Sequence, residues 1–425
     1  MKKVVEKLKK GLKGEIVIPA DKSLSHRAII LSSLAKGQSV IKNFSNGQDP
    51  LSSLNICKSL GVEAEFKNNN LIVYSNGKFS MPNSVLDCGN SGTTMRFMTG
   101  ILAGQNFNSI LTGDESLSKR PMKRVIEPLE LMGAEIVSDN NHAPLKIFGR
   151  NLHSINYNSK LASAQVKSCV LLAGMNCEGK TSFTEPYLSR NHTEIMLKHM
   201  GAEISIDKTT VTIEKSILEP CEIEICGDIS SAAYFIAAGL IVPDSEIILK
   251  NVGLNPTRTG IIEVVEKMGG NIEILDKKTV SGELVGDIKV SYSDLKSCMI
   301  EGEIIPKLID ELPVIAVLAT QAEGTTIIKN AQDLRNKESD RISSIVKELK
   351  KLGADIEETI DGFIINGKTR LKGGCEVESY HDHRLAMSLY VAGLISENPL
   401  TINGFEWIEI SFPEFEQLFV KCKQM

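Results

Sequence analysis

Six short polar segments of this 425-residue sequence stand directly before stretches of small and apolar residues that are typical of buried helices. Ser, Asp, Asn and Thr at a helix start are ordinary N-caps, because their side chains accept hydrogen bonds from free backbone N–H groups. Three of the segments also contain Lys, Arg or a Gly that exposes backbone N–H groups, which capping does not require. The six segments are residues 21–23, 90–93, 163–165, 228–231, 310–311 and 382–384.

These helix starts could bind an anion. A helix N-terminus has unsatisfied N–H groups and the positive end of the helix dipole, so several of them together form an anion site. We interpret 228–231 as capping alone and the other five as candidates for anion binding. Two cationic loops, 119–124 (KRPMKR) and 335–341 (RNKESDR), could contribute further charge. We expect Lys123 and Arg124 to be solvated, and part of KESDR could form i,i+4 pairs on a helix surface.

The bulk composition limits the partners. With a net charge of −5, any bound anion must be held by a local cationic cluster. The acidic balance, with one Trp and seven Tyr, argues against a repeat protein that presents basic loops to RNA. Nine cysteines without a CxxC pair indicate free thiols in a reducing compartment, and we find neither a signal peptide nor a membrane-spanning run. We therefore expect a cytoplasmic monomer with no nucleic-acid or membrane partner.

Two recurring strings predict the elements that position these residues. The first is a helix end, a glycine and a strand, and it occurs five times. Glycine there admits the left-handed backbone of a helix end. The second is an apolar helix of small residues, a turn and a strand, and it occurs six times. The chain thus contains six modules of about seventy residues, each with two helices and several strands. The glycines of the first string are Gly61, Gly133, Gly201, Gly269 and Gly353.

Six similar modules predict an α/β fold of two lobes, each of three modules with helices buried inside strands. We expect the chain to cross between lobes near residues 19–21 and 226–228. One lobe would comprise 1–19 with 227–425, and the inserted lobe would comprise 20–226. The N-terminal strand EIVIP would complete the last module. A single continuous solenoid is disfavoured, because neither string keeps a fixed period.

Six segments of the sequence match a known family in order and over the whole length. They are DKSLSHR, DCGNSGTTMRFMTG, LTGDESLSKRPMKR, SAQVKS, LRNKESDR and DHRLAM. Together they resemble the signature segments of the EPSP synthase (3-phosphoshikimate 1-carboxyvinyltransferase) family. The resemblance implies the enolpyruvyl transferase fold, with two lobes of three βαβαββ units each. It also implies transfer of the enolpyruvyl group of phosphoenolpyruvate to the 5-hydroxyl of shikimate 3-phosphate, by addition and elimination, in the shikimate pathway of aromatic amino-acid biosynthesis. The family uses neither a cofactor nor a metal.

The resemblance assigns roles to particular residues. Both substrates are multiply charged anions, so fixed cations must hold them. The residues implied for shikimate 3-phosphate are Lys22, Ser23, Arg27, Ser163, Gln165, Ser189, Arg190, Asp310 and Lys337. The residues implied for phosphoenolpyruvate are Lys22, Gly92, Arg120, Gln165, Arg341 and Arg384. Asp310 would be the base at the 5-hydroxyl and Glu338 the proton donor, with Lys22 assisting. Asp310 could instead be only a helix N-cap.

Three positions depart from the best-known branch of the family. Phe97 stands where that branch has proline, Ala164 replaces the second of two serines, and Ile410 replaces a lysine. These differences resemble a second branch of the same family. They bear on one phosphate contact and one cationic contact to phosphoenolpyruvate, and not on the reaction.

Two alternatives to this interpretation are a different acceptor substrate and a metal site. The related transferase that acts on UDP-N-acetylglucosamine has a cysteine in the loop corresponding to LTGDESLSKRP, but no cysteine lies between Cys88 and Cys169. The string His381-Asp382-His383 could bind a metal, but no third ligand string has suitable spacing, so we favour a phosphate or supporting contact for His383. His192 could either lie beside the active site or serve only to cap a helix, and the sequence does not decide between the two.

Overall fold

The computed structural model describes residues 1–424 and the side chains of residues 1–422. The chain forms two compact units. The terminal unit comprises Met1–Pro19, Cys226–Thr279 and Leu284–Met425, and the inserted unit comprises Ala20–Ile225 together with Val280–Glu283. The short segment Val280–Glu283 is a hairpin tip, and no feature of the sequence indicated that it packs with the inserted unit.

The strands follow in chain order. They are β1 (Lys2–Val5), β2 (Lys13–Val17), β3 (Lys36–Lys42), β4 (Glu63–Lys67), β5 (Asn70–Asn76), β6 (Leu86–Asp87), β7 (Asn108–Thr112), β8 (Glu135–Asp139), β9 (His142–Phe148), β10 (Asn156–Asn158), β11 (Lys180–Thr184), β12 (Ile204–Asp207), β13 (Thr210–Glu214), β14 (Glu222–Glu224), β15 (Glu246–Gly253), β16 (Asn271–Val280), β17 (Glu283–Ser291), β18 (Met299–Ile300), β19 (Gly324–Ile328), β20 (Asp355–Glu358), β21 (Phe363–Gly367), β22 (Glu376–Glu378) and β23 (Leu400–Asn403).

The helices are likewise given in chain order. They are α1 (Lys22–Leu34), α2 (Gln48–Ser59), α3 (Gly92–Ala103), α4 (Glu115–Ser118), α5 (Lys123–Leu131), α6 (Ala164–Gly174), α7 (His192–His199), α8 (Ile229–Ile241), α9 (Gly260–Lys267), α10 (Ile305–Leu308), α11 (Leu312–Gln321), α12 (Arg341–Lys351), α13 (His383–Gly393) and α14 (Phe415–Gln424). Short 3₁₀ segments occur at Gly302–Ile304, Gln332–Asn336 and Phe405–Ile410.

Six small sheets, three in each unit, confirm the modular reading. The inserted unit has sheets β14-β3-β5-β4, β6-β7-β9-β8 and β10-β11-β13-β12, and the terminal unit has β16-β17-β15-β2, β18-β19-β21-β20 and β1-β23-β22. In four of the six sheets a strand pairs in parallel with the next strand of the chain, as β6 does with β7 and β10 with β11. A helix connects the two strands of each such pair, which is what a parallel pair requires. The parallel pairs β2–β15 and β3–β14 instead join strands that are far apart in the chain. The predicted α/β fold of βαβαββ units is correct.

One prediction about the chain ends is wrong. The strand in EIVIP, β2, does not complete the last module but pairs in parallel with β15 at the start of the fourth. The last module is completed by β1, which pairs antiparallel with β23. The sequence did not distinguish the two N-terminal strands, because both are short and each can bury only one face.

The apolar helices lie inside the units, as their composition predicted. Every residue of α8 and of α13 is buried. Helices that lack a polar face have no side to present to water, so they must be enclosed on all sides. The starts of these helices consequently place polar groups at the edges of the cores.

The contact between α3 and α6 predicts a stability effect. A Cβ added at Gly100 would lie 2.3 Å from the Cys169 carbonyl oxygen, so Gly100→Ala must push the two helices apart. We expect a loss of about 1–3 kcal/mol in the free energy of unfolding, measured by urea denaturation. Gly104→Ala is the matched control, because its nearest contacts would be at 3.8 Å. Equal midpoints for the two variants would contradict this close packing.

Candidate active site

Helix α1 begins with three of the implied site residues. Asp21 caps the helix by accepting a hydrogen bond from a first-turn N–H. The Lys22 ammonium donates to Asp49 Oδ2 at 2.9 Å, and its side chain is 15% exposed. Arg27 Nη1 donates to the Ser23 carbonyl at 2.8 Å. The cations of α1 are thus held in fixed positions, with Lys22 still accessible to a ligand.

Arg27 is a buried cation supported from several sides. Its Nε donates to Thr193 Oγ1 at 2.7 Å, and its guanidinium lies 4.9 Å from the centre of the Phe97 ring. Burial lowers the pKa of Arg27 to about 10, and the carboxylates of Glu194 and Asp21 partly offset that effect. Arg27 therefore remains positive at neutral pH. Phe97, a departure from the best-known branch, here provides a cation–π contact to it.

Ser189 and Arg190 lie in the loop that leads into α7. Ser189 is 3% exposed, and among the described residues its hydroxyl has no hydrogen-bond partner. Arg190 is half-buried, and its charge acts to lower the pKa of Arg27. A buried hydroxyl with unused hydrogen-bonding capacity near cations is suited to a ligand oxygen. Ser163 takes the N-cap position of α6, and Ala164 is that helix's first residue.

The starts of α3 and α6 are joined by hydrogen bonds. Gln165 Oε1 accepts from Arg96 Nη1 at 2.6 Å, and Gln165 Nε2 donates to Thr93 Oγ1 at 2.9 Å. Arg120, which is largely buried, follows α4, and its Nη1 would lie 3.5 Å from a Cβ added at Gly92. Gly92, Arg120 and Gln165 are therefore brought together. Arg96 was missed, although its place one turn after Gly92 in the sequence could have indicated it.

A chain of polar side chains lies beneath these helix starts and was also missed. His26 Nδ1 lies 2.8 Å from Ser53 Oγ, which lies 2.7 Å from Thr94 Oγ1. Thr94 in turn donates to Ser91 Oγ at 2.8 Å. Burial, and then the charges of Lys22 and Arg27, hold the pKa of His26 well below its ordinary value, so the imidazole is neutral. The chain ties α1, α2 and α3 to one another.

In the terminal unit, Arg341 forms ion pairs with three acidic residues. Its side chain is 1% exposed, with Nε donating to Asp382 Oδ2 at 2.7 Å, Nη2 to Glu338 Oε2 at 2.5 Å and Nη1 to Asp310 Oδ1 at 3.2 Å. Burial alone would lower its pKa, but the carboxylates of Asp382 and Glu338 outweigh burial and raise it. Arg341 is a permanent cation that holds Asp310 and Glu338 side by side.

Asp310 faces three cations. Besides Arg341, its carboxylate lies 3.5 Å from Lys337 Nζ and 3.7 Å from Arg384 Nη2. The N-cap position of α11 belongs to Glu311 instead. The interpretation of Asp310 as a helix cap alone is therefore wrong. Burial opposes the charge of Arg384, but Asp310 and other nearby acidic groups raise its pKa well above the ordinary value.

Segment 228–231 caps a helix, as the sequence interpretation expected, and also joins a network of charged groups. Asp228 caps α8, but its Oδ1 also accepts from Arg258 Nη2 at 3.2 Å. The same nitrogen donates to Ser230 Oγ at 2.7 Å, and Ser230 donates to Glu311. Glu311 Oε1 lies 3.7 Å from Arg384. Arg258, which is 1% exposed, thereby extends the charge network, and nothing in its local sequence (NPTRTG) indicated this.

The residues of the first cationic loop differ in exposure, and the histidines differ in their contacts. Lys123 is exposed as expected, whereas Arg124 is half-buried. His192 Nδ1 lies 2.7 Å from the buried Glu283 Oε1, and His381 stacks on Trp407. His383 is buried in α13. Within residues 1–424, no group of three or more His, Cys, Asp or Glu side chains could hold a metal ion.

Part of the KESDR string forms the expected i,i+4 pairing, since Lys337 Nζ lies 3.9 Å from Asp333 Oδ2 and both side chains are partly exposed. Its Glu338 and Arg341 pair at i,i+3, with side chains 13% and 1% exposed. The third departure, Ile410, is buried at the end of the 3₁₀ segment Phe405–Ile410. An apolar side chain at this position serves packing and provides no charge.

Comparison with known proteins decides the family. A family model described as EPSP synthase (3-phosphoshikimate 1-carboxyvinyltransferase) matches residues 7–419. The chain belongs to this family. It is 53% identical to the 3-phosphoshikimate 1-carboxyvinyltransferase of Thermodesulfovibrio yellowstonii, over 98% of this chain and 99% of that one. It is 50% identical to that of Bacillus subtilis, over 95% and 96% of the two chains.

The similarity of this chain to solved structures supports its membership of the EPSP synthase family. The chain superimposes on EPSP synthase from Acinetobacter baumannii with a TM-score of 0.88 and 40% identity, over 99% of this chain and 98% of that one. The enolpyruvyl transferase NikO from Streptomyces tendae has a TM-score of 0.80 but 16% identity, over 99% and 96%, and shows the shared fold alone. These matches favour the EPSP synthase reading over the UDP-N-acetylglucosamine transferase. Among residues 1–424, no helix is long and apolar enough to cross a membrane.

Gly92 provides a prediction for this site. It begins α3 and does not have a positive φ. Glycine is therefore not required at this position by a left-handed backbone conformation. An added Cβ would lie 2.6 Å from Arg96 Nη1, so Gly92→Ala must displace that guanidinium from Gln165. We expect the KM for phosphoenolpyruvate to rise by roughly tenfold, with a smaller loss of affinity for shikimate 3-phosphate, for which Gln165 is only one of many implied contacts.

A double-mutant cycle with Arg96→Lys tests whether the methyl acts through Arg96, because coupled effects are not additive. A lower melting temperature with unchanged kinetics, or equal weakening of both substrates, would contradict the prediction.

Proposed function

We propose that this chain transfers the enolpyruvyl group of phosphoenolpyruvate to the 5-hydroxyl of shikimate 3-phosphate, releasing phosphate, in the shikimate pathway. The observation that carries the proposal is Arg341, one buried guanidinium that contacts both Asp310 and Glu338. An addition–elimination reaction needs one group that removes a proton from the hydroxyl and one that delivers a proton to C3 of phosphoenolpyruvate. Two carboxylates on one fixed cation provide such a pair.

The inserted unit supplies groups for anionic oxygens. Lys22, Ser23 and Arg27 would bind shikimate 3-phosphate, and the unpartnered hydroxyl of Ser189 favours a phosphate contact there. The remaining residues proposed for this substrate are Ser163, Gln165, Arg190, Asp310 and Lys337.

Phosphoenolpyruvate would be held by a second set of groups. Gly92 N–H, Arg120 and Gln165, with Lys22, would bind it from the helix starts. Arg341 and Arg384 would hold its carboxylate, because planar guanidinium groups match a carboxylate through paired hydrogen bonds. Both are fixed cations, since the carboxylates around them raise their pKa values.

Glu338 must gain a proton before it can act as the acid, since it now forms an ion pair with Arg341. A substrate carboxylate that binds Arg341 would compete with Glu338 for the guanidinium. Weakening of that pair favours the protonated form of Glu338. Substrate binding would thus prepare the proton donor, while Asp310, still beside Lys337, remains the base.

The proposal is tested by measuring phosphate release from phosphoenolpyruvate with either shikimate 3-phosphate or UDP-N-acetylglucosamine as acceptor. We expect release with shikimate 3-phosphate alone, since the six family segments and the relatives agree on that acceptor. Reactions that lack one substrate control for simple hydrolysis. Release that depends on UDP-N-acetylglucosamine, or no release with either acceptor, would refute the assignment.

The roles of the two carboxylates are tested by Asp310→Asn and Glu338→Gln. Each should lower kcat by about 10²–10⁴ while shikimate 3-phosphate still binds, because both changes keep the shape and remove the proton transfer. Asp340→Asn is the matched control: Asp340 caps α12 and pairs with Arg335, and asparagine also caps well. A variant with near-normal kcat and a raised KM would move that residue to substrate binding.

We also propose that the protein acts in the cytoplasm. Among the described residues none of the nine cysteines forms a disulfide, and burial raises the pKa of Cys57 and of Cys169 to about 12. Such thiols are inert packing residues, which is typical of a reducing compartment.

A further inference from the structure

Three charged side chains lie completely buried in the inserted unit and take no part in the roles described above. Lys167 of α6 is 2.7 Å from Glu185 Oε1 and 2.8 Å from Glu194 Oε1, and all three side chains are 0% exposed. Glu185 follows β11, and Glu194 lies in α7. A lysine in a helix otherwise enclosed by apolar residues is uncommon, because an ammonium group is costly to remove from water.

This buried ion cluster holds the backbone of Ser189 on both sides. Glu185 Oε1 accepts from the Ser189 N–H at 2.8 Å, and Lys167 Nζ donates to the Ser189 carbonyl at 3.3 Å. The loop between β11 and α7 is thus tied to α6 at the residue whose hydroxyl is buried and unpartnered within the described chain. A shift of the ammonium would move that hydroxyl.

The neighbours of the cluster hold Arg27. Thr193, next to Glu194, accepts from Arg27 Nε at 2.7 Å. Ser168, next to Lys167, has its Oγ 2.6 Å from Thr193 Oγ1 and 3.3 Å from Arg27 Nη2. The same two helices, α6 and α7, therefore fix both the ion cluster and the guanidinium of Arg27.

The charges of the cluster are unbalanced unless Arg27 is included. Two carboxylates and one ammonium leave one negative charge in a region with no exposure. A pair that served stability alone would need one carboxylate, and the second would be destabilising without another cation. Arg27 is that cation, and Glu194 is the carboxylate that most offsets the effect of burial on it.

We propose that Lys167, held between Glu185 and Glu194, is a positioning residue for phosphate recognition, fixing the backbone of Ser189 and, through Ser168 and Thr193, the guanidinium of Arg27. The inference rests on the proposed function, in which Ser189 and Arg27 bind shikimate 3-phosphate. Lys167 touches no substrate. Its effect should fall on the phosphate-dependent part of the affinity and not on phosphoenolpyruvate.

The test is Lys167→Met, which keeps the length of the side chain and removes its charge. The dissociation constants of shikimate 3-phosphate and of shikimate are measured by calorimetry, the latter by competition. We expect the constant for shikimate 3-phosphate to rise by about 10–100-fold, as for other positioning partners, with that for shikimate and the KM for phosphoenolpyruvate changed less than about threefold. The selectivity for the phosphorylated ligand should therefore collapse.

Lys351→Met is the control for the loss of a lysine that pairs with a buried carboxylate. Lys351 pairs at 2.6 Å with Glu348, whose side chain is 0% exposed, and the pair lies in the terminal unit. This variant should leave the selectivity unchanged even if it lowers the melting temperature. Equal weakening of both ligands by Lys167→Met, or unchanged binding of shikimate 3-phosphate, would overturn the proposal.

If Lys167→Met does not fold, Glu185→Gln decides the question. Glutamine keeps the size and an acceptor for the Ser189 N–H but removes the charge opposite Lys167, so selectivity should still fall by several-fold. Unchanged selectivity in that folded variant would overturn the proposal. The binding of shikimate 3-phosphate to the wild-type protein is measured before any variant. A wild-type protein that does not bind it would refute the proposed function instead.

Discussion

The removal of charged groups from water is the constraint on which both units depend. A buried guanidinium or ammonium group is destabilising by several kcal/mol unless carboxylates and hydroxyls surround it in good geometry. Arg341 meets this constraint with three carboxylates, and Lys167 meets it with two. A site that must bind multiply charged anions needs such fixed cations, so the supporting acids are part of the binding machinery.

The modular fold solves the positioning problem. Helices buried on all sides begin at the edges of the cores, where their caps and free N–H groups are placed with little freedom. Asp21, Ser91, Asp228 and Asp382 each cap one of these helices, and a residue proposed for the site or belonging to a charge network stands one to two positions after each cap. Capping and ligand binding are therefore not alternatives, because a well-capped start is a well-positioned one.

Much of the fold could be predicted from the sequence, because each module repeats a local pattern of helix, glycine and strand. The candidate site segments could be proposed for a similar reason, since their residues are adjacent in the chain. The sheet positions of β1 and β2, and the contacts of Arg258 and His26, could not be predicted. They depend on which side chains meet across modules, and no local pattern encodes that.

The pairing of β1 with β23 has a consequence for biosynthesis. The Met1 carbonyl accepts hydrogen bonds from the N–H groups of Gly404 and Phe405, so residues made early in synthesis are joined to residues made much later. At ribosomal rates of about 5–20 residues per second, roughly 20–80 s separate the two strands. During that interval KKVV is an unpaired strand, and its two lysines discourage pairing with another chain. The inserted unit, whose sheets are complete once β14 is made, can fold while the terminal unit waits for its last strand.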